Sequence, residues 1–586
     1  MHQNLFTILF LLVPHQGHQD DSTIDYYVNL ISNITKNAAT YQWPTNAYEY
    51  YSNEKPKKYG SYDFVVIGAG AGGSVAASRL SERSKWNVLV LEAGEYGNNA
   101  TDIPNLSTPL QFTDYNWAYN STPQKTCCLG SEYQVCPYPR GKGVGGSTLI
   151  NSLVYARGYK SDFDNWGQIA NDKRWGYDSV LHYFKKSEKF VHNDIEAPYD
   201  AAYHGTSGYL NVAFHEPRSP QLDAFLEANR ELGFATVDYN ANKLGASPTQ
   251  MNTKKGKRVD DAKAFLFHRQ NLKILTHSYV TKVLTDGNGI VTRVEFSRKG
   301  KNYFVQVTKE VILAAGVFGT AHILTLSGIG PRNHLEKLGI DVVADLEVGT
   351  VLRDSSCFFG ITVGTNYTEP VKPLKEQVKD YLHGVGPFTV VNNKQGIAFY
   401  ESSYTKGTGT PDIELQFVPA NATHQLSAKS FSFTEQTYDD LWKHINVSQS
   451  FSVYVISLHD VSTGSVRLKN KNPYDYPTKA FKAMNATLQG GPLRACKQHA
   501  YLSEAYWYCS LRQLTLALYH PVGTCPMGTH PSKGAVVNYK LQVFGFKNLR
   551  ISDASVFPRP VAGHSNAATV MVGEQLGDLV KLAHAL

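Results

Sequence analysis

The hydrophobic pattern near the start of the chain predicts a strand, a tight turn, a helix and a second strand. An apolar run, FVVI, ends at Ile67, and a second one, NVLVLE, follows the helix-like segment AGGSVAASRLSE. The turn between strand and helix contains Gly68, Gly70 and Gly73 in the spacing G-x-G-x-x-G. Glycines there allow the tight turn and let a pyrophosphate approach backbone N–H groups at the helix start. The pattern therefore predicts a dinucleotide-binding βαβ unit.

An acidic residue, Glu92, closes the second strand of this unit. A carboxylate at that place accepts hydrogen bonds from the adenosine ribose hydroxyls and disfavours a 2′-phosphate. Gly73 is expected to let the helix pack closely on the strand. The segment by itself does not decide between NAD and FAD.

Later segments alternate between two characters. Glycine-rich, strand and helix patterns recur at 137–158, 271–331 and 548–586, whereas 159–250 and 348–512 are rich in aromatics and in alternating runs such as SFSVYVISLHDVS. We therefore predict an α/β fold with two domains. A Rossmann-like cofactor domain is assembled from the discontinuous segments 61–158, 251–347 and 513–586. An α+β substrate domain with an antiparallel sheet is assembled from 159–250 and 348–512.

Composition bounds the function without defining it. The chain has 586 residues, 42% of them hydrophobic and 12% aromatic, which suits a globular protein with a large interior. Its net charge is +7, but the basic residues are scattered. The one dense basic cluster, at 254–258, is short and not interleaved with aromatics, so it favours a solvated loop over a nucleic-acid site.

The amino terminus predicts secretion. An apolar run from Leu5 to Val13 is too short to span a bilayer and suits the core of a signal peptide, which we assign to residues 1–19, followed by an extension over 20–60. The preceding segment has little positive charge, and no A-x-A cleavage site is visible. No later segment is apolar for long enough to span a membrane. N-glycosylation sequons occur at Asn33, Asn99, Asn105, Asn120, Asn366, Asn421, Asn446 and Asn485.

Seven cysteines are present, an odd number. In an oxidising compartment Cys496 and Cys509 could pair, and Cys136 could pair with either Cys127 or Cys128. None of the spacings is typical of a zinc site, so we predict no metal.

Together these motifs are similar to those of the glucose–methanol–choline (GMC) oxidoreductase family, over nearly the whole chain from Tyr62. The resemblance rests on the glycine turn with Glu92, and on the segments PRGKGVGGSTLINSLVYARG, DFDNWGQ, LSGIGP, HPVGTCPMG and LRISDASVFP. The cysteine-bearing insertion before Arg140 resembles arthropod secreted members. The resemblance implies an FAD-dependent enzyme that oxidises the CH–OH group of an alcohol.

The resemblance also implies which residues hold FAD. Ile150 occupies the place where some relatives carry a flavin-linking histidine, so noncovalent FAD is expected here. The implied cofactor-binding residues are Gly68, Gly70, Ala71 and Gly73 for the pyrophosphate, Glu92 for the ribose, Val280 for the adenine, Val144, Gly146 and Asn151 on the flavin side, and Asp553 with Ala554 for the ribityl chain.

One stretch departs from the family pattern. The usual V-G-x-N-L-x-D-H reads VGTVLRDS here, with Val351 in the asparagine place and Ser355 in the histidine place. That element often borders the substrate domain, so we expect a local difference in packing or in substrate choice.

Two of the twenty histidines are implied to be catalytic. His520 lies in YHPVGTCPMG, and His564 lies ten residues before Glu574, just ahead of the closing helix; Asn566 is the alternative for the second position. A neutral imidazole can accept the hydroxyl proton while a hydride leaves for flavin N5. His520 is the expected base, and His564 is expected to hydrogen-bond the substrate oxygen. We interpret His204, His322 and Cys525 as structural.

Three further questions stay open at this point. A hydroxynitrile lyase that uses FAD as a scaffold, a sugar dehydrogenase and a noncatalytic flavoprotein remain alternatives. Aromatic, uncharged stretches such as SSCFFG (355–360) and QSFSVYVIS (449–457) favour a small aromatic or lipophilic alcohol, or a cyanohydrin such as mandelonitrile. Molecular oxygen is the expected electron acceptor, with hydrogen peroxide as its product, although another acceptor remains open.

Overall fold

The structure, a computed structural model, describes residues 21–41, 54–194, 196–216, 218–266, 269–419, 424–474 and 493–585. The predicted signal peptide lies outside these ranges, as do the sequons at Asn421 and Asn485. Within them, no helix combines the length and the apolar character that crossing a bilayer requires.

A seven-stranded mixed sheet contains the predicted βαβ unit. Strands Lys57–Ile67 and Val88–Leu91 are adjacent and parallel, as the two apolar runs predict, and both runs are buried. The long strand Lys301–Leu313 belongs to both a parallel and an antiparallel part of the sheet. Its residues 311–313 pair in parallel with Leu549–Ile551, and its residues 301–306 pair antiparallel with Val291–Arg298. The remaining strands are Leu272–Leu275 and Tyr279–Thr285, one at each side.

Two helices cover one face of this sheet. The cradle helix, Ala71–Ser81, packs against the closing helix, Ser565–Ala583, whose residues 567–577 are all buried. Arg79 joins them through a two-pronged ion pair with Glu574, with Nε–Oε2 and Nη2–Oε1 distances of 2.7 and 2.6 Å. The first and last helices around the cofactor region are thus held together although they lie at opposite ends of the chain.

A six-stranded antiparallel sheet forms the second large layer. Every neighbouring pair in it is antiparallel. The strand Ser450–Ser457 alternates between buried and partly exposed positions, whereas Gly245–Pro248 and Thr515–Ala517 are buried throughout. Its strands, in spatial order, are Thr515–Ala517, Ser356–Gly364, Ser450–Ser457, Ile413–Pro419, Gly396–Tyr400 and Gly245–Pro248. The predicted α/β class with an additional antiparallel sheet is confirmed, whereas the exact domain boundaries stay a prediction.

Smaller elements complete the fold. A three-stranded sheet contains Gln250–Met251, Leu210–Phe214 and Glu188–Val191. The predicted extension contains the helix Asp21–Thr40, which contacts the helix Leu374–Leu382 through the rings of Tyr27 and Tyr381. The other helices are Ser107–Leu110, Lys160–Ala170, Tyr177–Ser187, Pro220–Glu231, Asp261–Phe265, Gly316–Leu326, Arg332–Lys337, His424–Ser430, Glu435–Leu441 and Glu504–Leu514.

Two disulfides are present. Cys496 pairs with Cys509 as predicted, and Cys136 pairs with Cys128 rather than with Cys127. Among the described residues Cys127, Cys357 and Cys525 are free thiols.

Candidate active site

The glycine turn forms one wall of a deep cavity. Gly68, Gly70 and Ala71 line it where the strand Lys57–Ile67 gives way to the cradle helix. Gly73 does not line the cavity; a Cβ there would lie 2.0 Å from the Gly68 carbonyl oxygen and 2.9 Å from the Ala314 Cβ. Gly73 thus allows close helix–strand packing, whereas the direct pyrophosphate contact that the resemblance implies for it is not supported by the cavity lining.

A second glycine-rich segment lies directly on this turn. Gly146 has φ +55°, and a Cβ on it would come within 2.6 Å of the Gly70 Cα. The Gly145 N–H donates to the Ala69 carbonyl at 2.8 Å. Val144, by contrast, is buried in a short strand beside Tyr96 and does not reach the cavity. The two glycine segments thus make a smooth backbone surface that leaves room for an extended ligand.

Arg258 holds Asn151, the residue expected on the flavin side, in place. Its guanidinium donates to the Asn151 side-chain and backbone oxygens at 2.8 and 2.9 Å, and to the Thr148 carbonyl at 3.0 Å. The basic cluster at 254–258 predicts a solvated loop, but Arg258 is fully buried, so for this member of the cluster the prediction is wrong. Lys254 and Lys257 are exposed as expected.

Acidic residues stand at two further points of the cavity. Glu92 accepts the backbone N–H groups of Ala69 and Gly94, both at 2.9 Å, and burial raises its pKa. Asp553 accepts from the Thr320 hydroxyl at 2.6 Å and from the Gly316 N–H at 3.0 Å. Val280 and Ala554 line the same cavity. These residues lie at or near the ends of separate strands of the seven-stranded sheet, which brings them together.

The two predicted catalytic histidines face each other in this cavity. The centroids of the His520 and His564 rings lie 4.5 Å apart, with the ring planes at 66°. His564 caps the closing helix in an extended conformation, and Asn566 and Ile150 also line the cavity. The structure thus brings the histidine pair and the glycine segments into one space.

Burial and neighbouring positive charges both act on the His520 ring. Burial, together with His564, Arg140 and Lys394, lowers its pKa well below the usual value, so the ring is neutral near pH 7. Its backbone N–H donates to Asp354 Oδ1 at 2.8 Å. The preceding residue, Tyr519, has φ +70°, and its carbonyl accepts from Arg140 at 3.0 Å. A non-glycine residue in this region costs energy and persists only where its surroundings enforce it.

Asp354 belongs to the stretch that departs from the family pattern. Asp354 accepts a hydrogen bond from the His520 backbone N–H, and burial raises the pKa of this carboxyl to about 7. The Ser355 carbonyl accepts from the Leu518 N–H at 2.9 Å. The departing stretch therefore contacts the loop that carries His520.

Glu414 is a site residue that the sequence did not reveal. Its Oε1 lies 2.9 Å from His564 Nε2, and the side chain is fully buried. Because a carboxylate only accepts, the contact places the proton on Nε2 and leaves Nδ1 as an acceptor. Gln416 lies two residues along the same strand, 3.3 Å from the same ring nitrogen. Two polar residues on the buried face of an alternating strand were the available sequence signal.

Aromatic side chains form another wall of the cavity. Phe359 and Tyr454 line the cavity, and they come from the two aromatic stretches SSCFFG and QSFSVYVIS. The Phe359 ring centroid lies 4.8 Å from that of Tyr454 and 4.1 Å from that of Phe431.

The two other histidines and the cysteine that the motifs contain have structural contacts. His204 lies 3.1 Å from Glu188 and 2.9 Å from Asp238 in a buried cluster. His322 lines the cavity, and its Nε2 lies 2.8 Å from the Pro473 carbonyl. Cys525 is fully buried, and burial raises the pKa of its thiol. These contacts fit the structural interpretation of all three.

Comparison with known proteins agrees with this geometry. Residues 62–368 match the amino-terminal family model of GMC oxidoreductase, and residues 478–573 match the carboxy-terminal one. The chain is 32% identical over 558 residues to glucose dehydrogenase [FAD, quinone] of Drosophila pseudoobscura pseudoobscura, covering 89% of this chain and 87% of that one. It is 31% identical over 562 residues to ecdysone oxidase of Bombyx mori, covering 89% and 82%.

Solved structures share the fold. Pyridoxine 4-oxidase from Mesorbium loti superposes with a TM-score of 0.71 at 25% identity, covering 88% of this chain and 99% of that chain. A fungal aryl-alcohol oxidase superposes with a TM-score of 0.71 at 21% identity, covering 90% and 100%.

Fold, cavity and histidine pair define an FAD-dependent oxidoreductase that acts on CH–OH donors. The chain belongs to the GMC oxidoreductase family.

Proposed function

We propose that this enzyme oxidises a small aromatic or lipophilic alcohol at its CH–OH group, with molecular oxygen as the final acceptor and hydrogen peroxide as the product. The observation that carries the proposal is the facing pair of His520 and His564, 4.5 Å apart, in the cavity that the glycine segments line. A titratable pair facing each other in a cleft is typical of proton transfer to or from a reacting group.

The residues present fit FAD. Gly70, Ala71 and Gly146 offer an almost side-chain-free surface at a helix start, which suits a pyrophosphate. Glu92 suits a ribose, and Asp553 with Ala554 suits the ribityl chain. Since Ile150 cannot form a covalent link, FAD is bound noncovalently. We assign FAD to the domain built from 61–158, 251–347 and 513–586, and the substrate to the domain built from 159–250 and 348–512.

His520 acts as the general base. When bound, FAD supplies the acceptor for the hydride that leaves the carbinol carbon. The neutral His520 ring takes the hydroxyl proton, a contribution of typically about 10²- to 10⁴-fold. His564 Nδ1, which carries no proton in this tautomer, accepts a hydrogen bond from the substrate hydroxyl and shares its proton with His520, while Glu414 holds the ring in the required tautomer. The protonated pair then stabilises negative charge that develops in the cavity.

The aromatic wall supports the choice of substrate. The rings of Phe359, Phe431 and Tyr454 can make apolar and edge-to-face contacts with an aromatic ring or a lipophilic chain of the substrate. A sugar is the second candidate, favoured by the 32% identity to a glucose dehydrogenase.

Secretion and N-glycosylation complete the proposal. The two disulfides suit an oxidising compartment. Among the described sequons, Asn33, Asn99, Asn366 and Asn446 are exposed and could carry glycans.

The test is anaerobic mixing of the purified FAD-loaded enzyme with benzyl-type alcohols, aromatic cyanohydrins and sugars while the visible flavin absorbance is followed. Bleaching by an aromatic alcohol, followed by return of the colour and formation of hydrogen peroxide in air, supports the proposal. Bleaching by sugars alone supports the second candidate. Cyanohydrin cleavage without bleaching supports a hydroxynitrile lyase and contradicts the proposal.

A further inference from the structure

A lysine side chain reaches the aromatic wall of the catalytic cavity. Lys394 lies in the turn that precedes the strand Gly396–Tyr400 and lines the same cavity as the histidine pair. The two preceding residues, Asn392 and Asn393, have φ values of 46° and 56°, in the left-handed region that asparagine tolerates. The Asn392 side chain also donates to the Thr108 hydroxyl at 2.9 Å. The turn is therefore a defined conformation that brings Lys394 to the cavity.

Burial lowers the pKa of Lys394, and the buried Glu414 is near enough to favour its charge without forming an ion pair. Its Nζ donates to the Ser152 hydroxyl at 3.0 Å and lies 5.9 Å from the centroid of the Tyr454 ring. In the described part of the chain, no carboxylate forms an ion pair with it within 4.0 Å. Because an ammonium has three donors and Ser152 accepts one, further donors are available to a ligand.

Acidic groups elsewhere in the cavity are already used. Among the described lining residues the acids are Glu92 and Asp553, both at the ends of strands of the seven-stranded sheet. Their oxygens accept from backbone N–H groups or from the Thr320 hydroxyl. The aromatic side of the cavity lining therefore presents a cation, an apolar surface and no described acid, which disfavours a quaternary ammonium substrate and favours an anionic one.

We propose that Lys394 binds a carboxylate of the substrate, so that the substrate is an alcohol whose aromatic or lipophilic body carries a carboxylate away from the carbinol carbon. This inference rests on the proposed function, since it names the substrate class of the same cavity. Lys394 recognises the acid, Phe359 and Tyr454 contact the body, and the histidine pair contacts the hydroxyl.

Three matched alcohols test the inference: 4-(hydroxymethyl)benzoate, its neutral methyl ester, and the analogue with a trimethylammonium-methyl group in place of the carboxylate. In the wild type, kcat/KM is expected to be highest for the acid and lowest for the cation. In K394M the ratio of kcat/KM for acid over ester falls about 30-fold, which is ~2 kcal/mol at about 1.4 kcal/mol per tenfold. K394R is expected to restore most of the ratio, and K160M, at an exposed ion pair with Asp164, leaves it unchanged.

A binding arm separates this inference from the proposed function. Benzoate and benzamide, neither of which is oxidisable here, are titrated into FAD-loaded wild type and K394M, and the flavin difference spectrum is followed. Benzoate binding that weakens about 30-fold in K394M, beside unchanged benzamide binding, supports the anion site even if no alcohol bleaches the flavin. Equal benzoate affinity in both proteins, or a cation oxidised as well as the acid, overturns the inference whatever the flavin does.

Discussion

Replacing Glu414 with glutamine tests whether the function of the histidine pair depends on the carboxylate that contacts His564. Glu414 is fully buried, and its Oε1 lies 2.9 Å from His564 Nε2. The substitution keeps the size of the side chain but removes the charge, and the amide can turn a donor toward Nε2. A hydrogen bond to a charged group is worth roughly 1.5–3 kcal/mol. At about 1.36 kcal/mol per tenfold, the rate constant for flavin reduction should fall about 10- to 150-fold.

Glu188 provides a matched control. It is equally buried and lies 3.1 Å from His204, but neither residue lines the cavity. E188Q should lower the unfolding temperature, because Arg157 loses its charged partner and His204 keeps only Asp238. It should leave the rate constant for flavin reduction unchanged.

The assay is stopped-flow flavin reduction under saturating alcohol without oxygen, at equal FAD content. E414Q should affect the rate constant more than the dissociation constant of the alcohol. A change below about threefold in E414Q, with normal FAD content, would refute the role given to Glu414. An equal fall of the rate constant in E188Q would show that the E414Q effect comes from a general loss of stability.

Three other perturbations probe the base, the glycine surface and the buried ion pair. Because the pKa of His520 is lowered, its base form persists on acidification, so the rate constant for flavin reduction should stay flat down to about pH 6.5 and fall only below it. D354N removes the titration of the Asp354 carboxyl, and a midpoint of the rate profile above about pH 6.5 that survives in D354N contradicts His520 as the base. In G146A the new Cβ would come within 2.6 Å of the Gly70 Cα, so FAD content after purification should drop about tenfold or more. The control G233A, where a Cβ would meet no atom within 4 Å, should keep its full FAD content. In R79M the buried Glu574 loses its main partner, so the free energy of unfolding in urea should fall by roughly 3 kcal/mol. This is the lower end of the range for a broken buried pair, because Lys186 still lies 3.2 Å from Glu574. Adding E574Q to R79M should recover part of the loss, and no recovery would contradict the ion-pair explanation.

The glycine turn was predictable because its information is local. Gly68, Gly70, Gly73 and Glu92 lie close together along the chain, and the turn, the helix start and the second strand each follow from neighbouring side chains. Family resemblance extended this to His520 and His564, which sit in motifs of recognisable sequence. The structure places both in one cavity with the turn.

Residues whose importance depends on distant pairing were not predictable. Glu414 reaches His564 only because the strand Ile413–Pro419 takes its place inside the six-stranded sheet. Lys394 reaches the cavity through two consecutive left-handed asparagines. Arg258 resembles a surface charge because its cluster is basic, and only the fold shows that Asn151 and Thr148 accept its hydrogen bonds. In each case composition and periodicity describe the element, while the contact depends on how distant segments come together.

The most direct test of the central claim compares flavin bleaching in the wild type and in a variant with both H520A and H564A. Both proteins are loaded with FAD, matched in flavin absorbance, shown to be fully reduced by dithionite, and mixed anaerobically with the alcohols named above. If the histidine pair promotes hydride transfer to bound FAD, an alcohol bleaches the wild type and the double variant reacts about 100-fold more slowly or slower still. Equal bleaching in both proteins, or no bleaching of the wild type by any alcohol, would contradict the claim.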